Sequence, residues 1–151
     1  MKDKYIHISK VIFYVLIVIF VLIVGYFAVP VPVSLKRVLF PFVAVLAIIF
    51  FILGVTLIFL TLKSKAERKL KVFLILTGAS AVGFLLSVIL HNFIYGLFIY
   101  WFGEGFWDKI GLRDEPFFFF IAIFVCPILF LVGMIGSLVM FIRKRKYHKK
   151  V

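Results

Sequence analysis

Four long stretches of the sequence are apolar and free of Asp, Glu, Lys and Arg: residues 11–29, 38–62, 72–102 and 116–142. As a helix, the shortest of them is about 28 Å long at ~1.5 Å per residue, which matches the ~30 Å hydrocarbon core of a bilayer. Strands are a poorer interpretation, because the stretches are continuously apolar and an isolated strand leaves its backbone groups unpaired in lipid. The pattern therefore predicts four transmembrane helices.

The composition excludes a water-soluble fold. Apolar residues make up 66% of the 151 residues, and 21 residues are Phe, which is more apolar surface than one compact core of this size buries. No polar segment is long enough for a separate soluble domain. We therefore expect residues 1–151 to form a single integral membrane domain, an all-α, polytopic four-helix bundle. The first apolar stretch is longer than a typical signal-peptide core, so we expect it to be retained as a helix.

Basic residues are distributed unevenly between the two sides that four passes create. Fourteen of the 18 Lys and Arg residues lie in residues 1–10, 63–71 and 143–151, whereas the other two connections hold four basic and four acidic residues. The net charge is therefore +12 on one side and zero on the other. By the positive-inside rule, both termini face the cytoplasm. We expect a multi-pass protein of the cell membrane.

Residues 143–151 form a basic cytoplasmic tail after the last apolar stretch. We expect its cations to bind anionic lipid headgroups on the cytoplasmic side, at about 1 kcal/mol per residue near the surface. These cations are Arg143, Lys144, Arg145, Lys146, Lys149 and Lys150. Binding of a partner or a regulator is the alternative. Nucleic-acid binding is not expected, since no aromatic platform or nucleic-acid-binding fold accompanies the cations.

Small residues indicate where the helices approach one another, because helices in lipid gain little from hydrophobic burial against each other. Residues of this kind recur at four-residue spacing in the third and fourth stretches, and the predicted packing positions are Ala79, Gly83, Ser87, Gly133 and Ser137. Ala47 and Gly54 offer a similar face in the second stretch. The first stretch is mostly Val, Ile, Leu and Phe, so we expect it to be the most lipid-exposed helix.

The polar residues closest to the membrane interior are His91 and Asn92, near the outer end of the third stretch. An ionisable residue inside a membrane span is a candidate functional group. We consider a polar site in which His91 faces Asp114 or Glu115, with Tyr95 nearby, and which places a proton-sensitive group at the outer mouth of the bundle. The structural alternative is that His91 and Asn92 hydrogen-bond a neighbouring helix, and that the two carboxylates cap the fourth helix.

Three further features have structural interpretations. Pro127 has no amide for the carbonyl of Ile123, which predicts a kink in the fourth helix. Cys126 is expected to pack in the interior, because it lacks the electropositive surroundings of a reactive thiolate. Residues 101–112 alternate aromatics, glycines and single charges, so we expect this connection to lie in the headgroup layer with Phe106, Trp107 and Ile110 dipping toward the acyl chains.

The inventory of reactive residues is small. One Cys excludes an internal disulfide and a paired-cysteine redox site, and three His with six carboxylates provide no nucleophile-base pair or metal-ligand set within the spans. We expect no cofactor, no metal and no enzymatic activity. Two functions remain: a structural, accessory or interaction role in the cytoplasmic membrane, as a homo-oligomer or with a membrane-protein partner, and an oligomeric small transporter or channel that uses His91, Asn92 and Tyr95.

Overall fold

A computed structural model describes residues 2–148, with side chains described for residues 4–143. Helices account for nearly all of this part of the chain, and no strand occurs in it. The helices are α1 (Lys2–Ala28), α2 (Val33–Lys63), α3 (Arg68–Phe102), α4 (Phe106–Lys109), α5 (Pro116–Phe120) and α6 (Cys126–His148), with a π-helical turn (Ile121–Val125) joining α5 to α6. Four segments are long and apolar enough to cross a membrane, which confirms the all-α class and the four spans.

The helices begin and end beyond the apolar stretches of the sequence. Helix α1 begins at Lys2, nine residues before its apolar stretch, and α2 begins at Val33. The tail beyond residue 142 continues as helix to His148, whereas Lys149 and Lys150 lie outside the described residues. The physical reason is that an apolar stretch indicates the length inside hydrocarbon, while a helix continues into the headgroup region without penalty.

Three connections join the four spans. Two of them, residues 29–32 and 103–115, lie at what we call the distal end of the bundle, and the third, residues 64–67, lies at the opposite end with the start of α1 and the end of α6, which we call the terminal end. Pro32 precedes the first residue of α2, as expected for a residue that cannot continue a helix. Gly103 ends α3 at φ +89°, a backbone conformation that residues with a Cβ atom rarely adopt. Its amide donates to the carbonyl of Ile99.

Helix α3 lies at the centre of the bundle. It packs against α2 on one side and against α6 on the other, and α1 packs mainly on α2. Helix α1 reaches α6 through aromatic side chains: Phe13 lies 5.7 Å from Phe141, and Phe20 lies 4.3 Å from Phe130, measured between ring centroids. These pairs close the bundle from its terminal end to its middle.

The outer long helices each bury one stripe of residues at three- and four-residue spacing, whereas the central helix α3 is buried on two sides. In α1 the buried stripe comprises Ser9, Phe13, Leu16, Ile19 and Ile23, the spacing expected for one face of a helix. The expectation that α1 is the most exposed helix is wrong: 22% of its apolar window is buried, against 17% for α2. The large side chains of α1 fill the core, whereas α2 contacts its neighbours mainly through small residues.

The α2–α3 crossing depends on two glycines. A Cβ atom on Gly54 would lie 2.9 Å from the carbonyl oxygen of Gly78, and one on Gly78 would lie 2.8 Å from the carbonyl oxygen of Gly54. The two backbones are therefore in direct contact, as small residues allow in membrane helices. The expectation that Ala79 lines the interior is wrong, because Ala79 is exposed and its neighbour Gly78 is buried.

The α3–α6 crossing uses glycines of α6. A Cβ atom on Gly133 would lie 2.8 Å from the Thr77 amide nitrogen, and Gly136 lies against the ring of Phe73. Ser137 is fully buried one turn further along α6. Gly83 approaches α6 as well, since a Cβ atom there would lie 3.2 Å from the sulfur of Cys126. The predicted packing residues other than Ala79 thus lie on the faces that α3 and α6 present to each other or to the core.

The fourth span contains the π-helical turn immediately before Pro127. In this turn the Cys126 amide donates to the carbonyl of Ile121, five residues back instead of four. Pro127 has no amide to continue the ladder and its ring crowds the preceding turn, so a wider turn before it relieves the conflict. The sequence predicts a kink at Pro127, and the structure has a π-helical turn just before this residue.

Candidate functional site

The polar site at the distal end joins α3 to the start of α5. The Nδ1 atom of His91 lies 3.0 Å from the carbonyl oxygen of Glu115 and 3.3 Å from its Oε2 atom. The Nε2 atom of His91 lies 3.4 Å from Oδ2 of Asp114. The structure thus brings together three of the five residues considered from the sequence, and His91 contacts both carboxylates, not one of them.

Glu115 has two roles at this site. Its carboxylate accepts hydrogen bonds from the amides of Phe117 and Phe118, at 2.8–3.2 Å, and so caps α5. The same carboxylate faces His91. An acidic group at a helix N-terminus also interacts favourably with the helix dipole. Capping therefore holds the Glu115 carboxylate at the position where it faces the His91 ring. Capping and pairing with His91, which the sequence presents as alternatives, occur together.

Burial differs sharply across the site. The side chains of His91 and Glu115 are 15% and 6% exposed, whereas that of Asp114 is 52% exposed. The ring of Phe119 lies 5.6 Å from the His91 ring and covers it on one side. The His91–Glu115 contact is therefore shielded from water, while Asp114 gives the site a solvated carboxylate at its edge.

Asn92 and Tyr95 do not join this site. The side-chain amide of Asn92 is exposed and donates to the carbonyl of Val88 within α3. The ring of Tyr95 stacks on Trp107 at 5.8 Å, and Trp107 Nε1 donates to the Tyr95 carbonyl at 3.3 Å. Adjacent helical residues point about 100° apart, so Asn92 cannot share the direction of His91.

Trp107 braces the distal connection against α3. It is buried against Tyr95 and Phe98, so the expectation that it dips toward the acyl chains is wrong. Ile110, in contrast, is exposed, as an anchor in the acyl boundary requires. The sequence does not predict the packing of Trp107 on α3, because Trp is common both in interfacial belts and in packed aromatic clusters. The spacing of residues does not distinguish these two settings.

The arrangement is a hydrogen-bond cluster centred on the His91 ring. A neutral imidazole donates from one nitrogen, and an imidazolium donates from both; at His91 both nitrogens face carboxylate or carbonyl oxygens. No hydroxyl or thiol within this cluster could act as a nucleophile. Among the side chains described, those of residues 4–143, no group of three His, Cys, Asp or Glu has the geometry to hold a metal ion.

The predicted headgroup-binding cations are described in part. Arg143 is exposed at the terminal end of α6, and the backbone of residues 144–148 continues the same helix. Lys149 and Lys150 fall outside the described residues. The half-buried Lys10 side chain lies over the ring of Phe141, and the exposed Lys63 side chain lies over the ring of Phe59, so the cations at this end spread their stems over apolar surface.

Comparisons of this chain with protein-family models, curated proteins and solved structures give no match. The fold, with four helices long and apolar enough to cross a bilayer, is that of a small membrane protein.

Proposed function

We propose that the protein has a structural, accessory or interaction role in the cytoplasmic membrane, without enzymatic activity, with both termini in the cytoplasm. In this role the exposed helix faces contact a membrane-protein partner or further copies of the chain, and the basic tail binds anionic headgroups. The proposal rests on how the centre of the bundle is filled.

Three aromatic rings block the centre of the bundle, and they are the observation that carries the proposal. Phe130 lies 4.3 Å from Phe20 and 5.4 Å from Phe50, and Phe20 lies 6.5 Å from Phe50, measured between ring centroids. We call these residues the aromatic plug. Phe50 and Phe130 are almost fully buried. A solute path along the axis of one bundle would have to displace all three rings.

Two buried hydroxyls of α3, those of Thr77 and Ser80, are engaged within their own helix. Thr77 Oγ1 donates to the carbonyl of Phe73, and Ser80 Oγ donates to the carbonyl of Leu76. Donors that bond within their own helix are not available to a passing ion or solute. The spans also hold no charged side chain between the plug and the His91 site, whereas coupled ion transport normally uses such charges.

One observation favours the alternative, an oligomeric transporter or channel. The His91 cluster pairs an ionisable side chain with two carboxylates at the distal end, and the neighbouring Asn92 is exposed. In an oligomer, exposed polar groups of several copies could line a shared path with Tyr95. Flux and partner contact are therefore both tested, the first in liposomes and the second in cells.

The full-length chain is reconstituted into liposomes, and proton and monovalent-ion flux are measured against protein-free liposomes. The expected result is no flux above that of the protein-free control. Flux that is lost in His91→Ala and retained in the matched variant Ile89→Ala, at an exposed apolar position of the same helix, would overturn the accessory role and establish the transporter.

Partner contact is tested in cells with a photo-crosslinking amino acid at one exposed position per helix: Val18, Ile48, Ile89 or Ile128, all of which are exposed. A structural role predicts a discrete crosslinked product at one or two of these positions, because a specific interface covers one face. Crosslinking to lipid alone at all four positions, together with measured flux, would contradict the proposal.

A further inference from the structure

Between α1 and the fourth span the bundle opens toward lipid at its distal half. The two elements touch at Phe20 and Phe130, at 4.3 Å between ring centroids. Beyond this contact a cavity of about 330 Å³ separates them, within the volume range of small-molecule sites. We call this cavity the α1–α6 wedge; Phe20, Phe50 and Phe130 form its floor, and Ala122, Ile123 and Cys126 form part of its wall.

The wall of the wedge is almost entirely hydrocarbon. Ser80 and Cys126 contribute the polar side chains of its lining, and Ser80 already donates to the Leu76 carbonyl in its own helix. Water in such a cavity would lack the two to four polar partners that it needs. An apolar occupant therefore fits the wedge, and water does not.

The mouth of the wedge faces the lipid. Val24, Phe27 and Ile123 line it and are 41%, 55% and 39% exposed. The wedge runs along α1 from Phe20 to Ala28, about 12 Å at ~1.5 Å per residue, close to half of the ~30 Å hydrocarbon core. Its depth therefore matches the length of the acyl chains of one leaflet.

We propose that the α1–α6 wedge is a binding site for one acyl chain of a phospholipid in the leaflet at the distal end of the bundle. The chain enters between α1 and the π turn and ends against the aromatic plug. A bound acyl chain would fill the gap that the side chains of α1 and the fourth span leave open. It does not depend on which role the protein has in the membrane.

The test uses the full chain in nanodiscs of phosphatidylcholine and phosphatidylglycerol that contain a trace of phosphatidylcholine with a diazirine in the middle of one acyl chain. After illumination, the lipid-modified residues are mapped by mass spectrometry. The expected result is modification of Cys126 and Phe130, which are buried, in addition to lipid-facing residues such as Ile128. Modification at the core residue Leu57, which is fully buried away from the wedge, gives the background.

Two variants fill the wedge and one serves as a matched control. Ala122→Phe places a ring in the wall, and Ala28→Phe places one at the exposed mouth, where folding is not at risk. In both, modification of Cys126 and Phe130 should fall to the Leu57 background, while that of Ile128 stays unchanged. Ala79→Phe, at an exposed alanine outside the wedge, should leave all positions unchanged.

Two outcomes would overturn the proposal. One is modification confined to exposed residues in the unaltered chain, which would mean that no acyl chain enters the wedge. The other is formation of a covalent dimer from a photo-crosslinking amino acid at position 28, which would mean that a second copy of the chain covers the mouth.

Discussion

At the scale of single residues, Glu115 shows how one carboxylate serves two helices. Its position before a proline and an apolar helix predicts a cap, and its place at the distal end predicts proximity to His91; both occur. Tyr95 was expected to join them, because it follows His91 by four residues. The four-residue spacing shows that His91 and Tyr95 share a face of α3. It does not show that Trp107 stacks on the Tyr95 ring.

Removing the Glu115 carboxylate should destabilise the distal end. Glu115→Ala loses the cap of α5, which costs about 1–2 kcal/mol, and also removes the buried carboxylate that faces His91, which keeps the Glu115 carbonyl at its Nδ1 atom. Glu115→Gln keeps an acceptor oxygen, so its loss should be smaller. The free energy of unfolding is measured by titration with sodium dodecyl sulfate in micelles and followed by circular dichroism.

Asp114→Ala is the matched control for this prediction. Its side chain is half exposed, and exposed ion pairs contribute little, so a change of at most about 1 kcal/mol is expected. An Asp114→Ala loss equal to or larger than that of Glu115→Ala would show that the solvated carboxylate, and not the capping one, holds α5 to α3.

At the scale of helices, the sequence identifies α3 as the helix with small residues but not the face that meets α2. Residues 77–81 are all small, so several adjacent rows satisfy the same spacing rule. The structure selects Gly78, because it faces Gly54, and leaves Ala79 exposed. Gly78 and Ala79 point about 100° apart, because they are adjacent in a helix. Which of them is buried depends on where the neighbouring helix lies.

The Gly54–Gly78 contact predicts a strong effect of one methyl group. In Gly54→Ala the new Cβ would lie 2.9 Å from the Gly78 carbonyl oxygen and 3.0 Å from the Ala81 Cβ. Both neighbours belong to a packed helix, so the helices must separate, at a cost of about 1–3 kcal/mol in the free energy of unfolding. The measurement is the same detergent titration.

Gly96→Ala is the matched control, because nothing lies within 4 Å of a Cβ atom there. It should be neutral or stabilise the protein by up to about 1 kcal/mol, since Ala favours helix more than Gly. Equal destabilisation by both substitutions would show that the α2–α3 crossing does not depend on backbone contact.

At the scale of the whole molecule, the number of spans follows from the sequence, whereas the order of helices in the bundle does not. Apolar length is a property of each segment, and the structure confirms four such segments. The aromatic plug takes one ring each from α1, α2 and α6, and the lining of the α1–α6 wedge also includes Ser80 and Phe84 of α3. No local pattern predicts them, because each depends on which helices become neighbours.

The uneven distribution of basic residues predicts the orientation of the whole chain. In a Cys126→Ser background, a single cysteine is placed at Glu104 in the distal connection or at Lys65 between α2 and α3. A membrane-impermeant maleimide added to intact cells should label Glu104→Cys and should not label Lys65→Cys. After permeabilisation both should react, which controls for accessibility. The reverse pattern in intact cells would place the termini outside the cytoplasm.

The central position of α3 also affects how the protein is made. Helices α1 and α2 leave the ribosome first, yet the backbone surface around Gly54 that α2 presents is covered by α3. Until α3 is inserted, α1 and α2 therefore lie in the bilayer or beside the insertion machinery. During that time the surface of α2 around Gly54 is not yet covered by α3. The crossing at Gly54 forms only once α3 is present, and the crossing of Gly133 with Thr77 forms only once the fourth span is present.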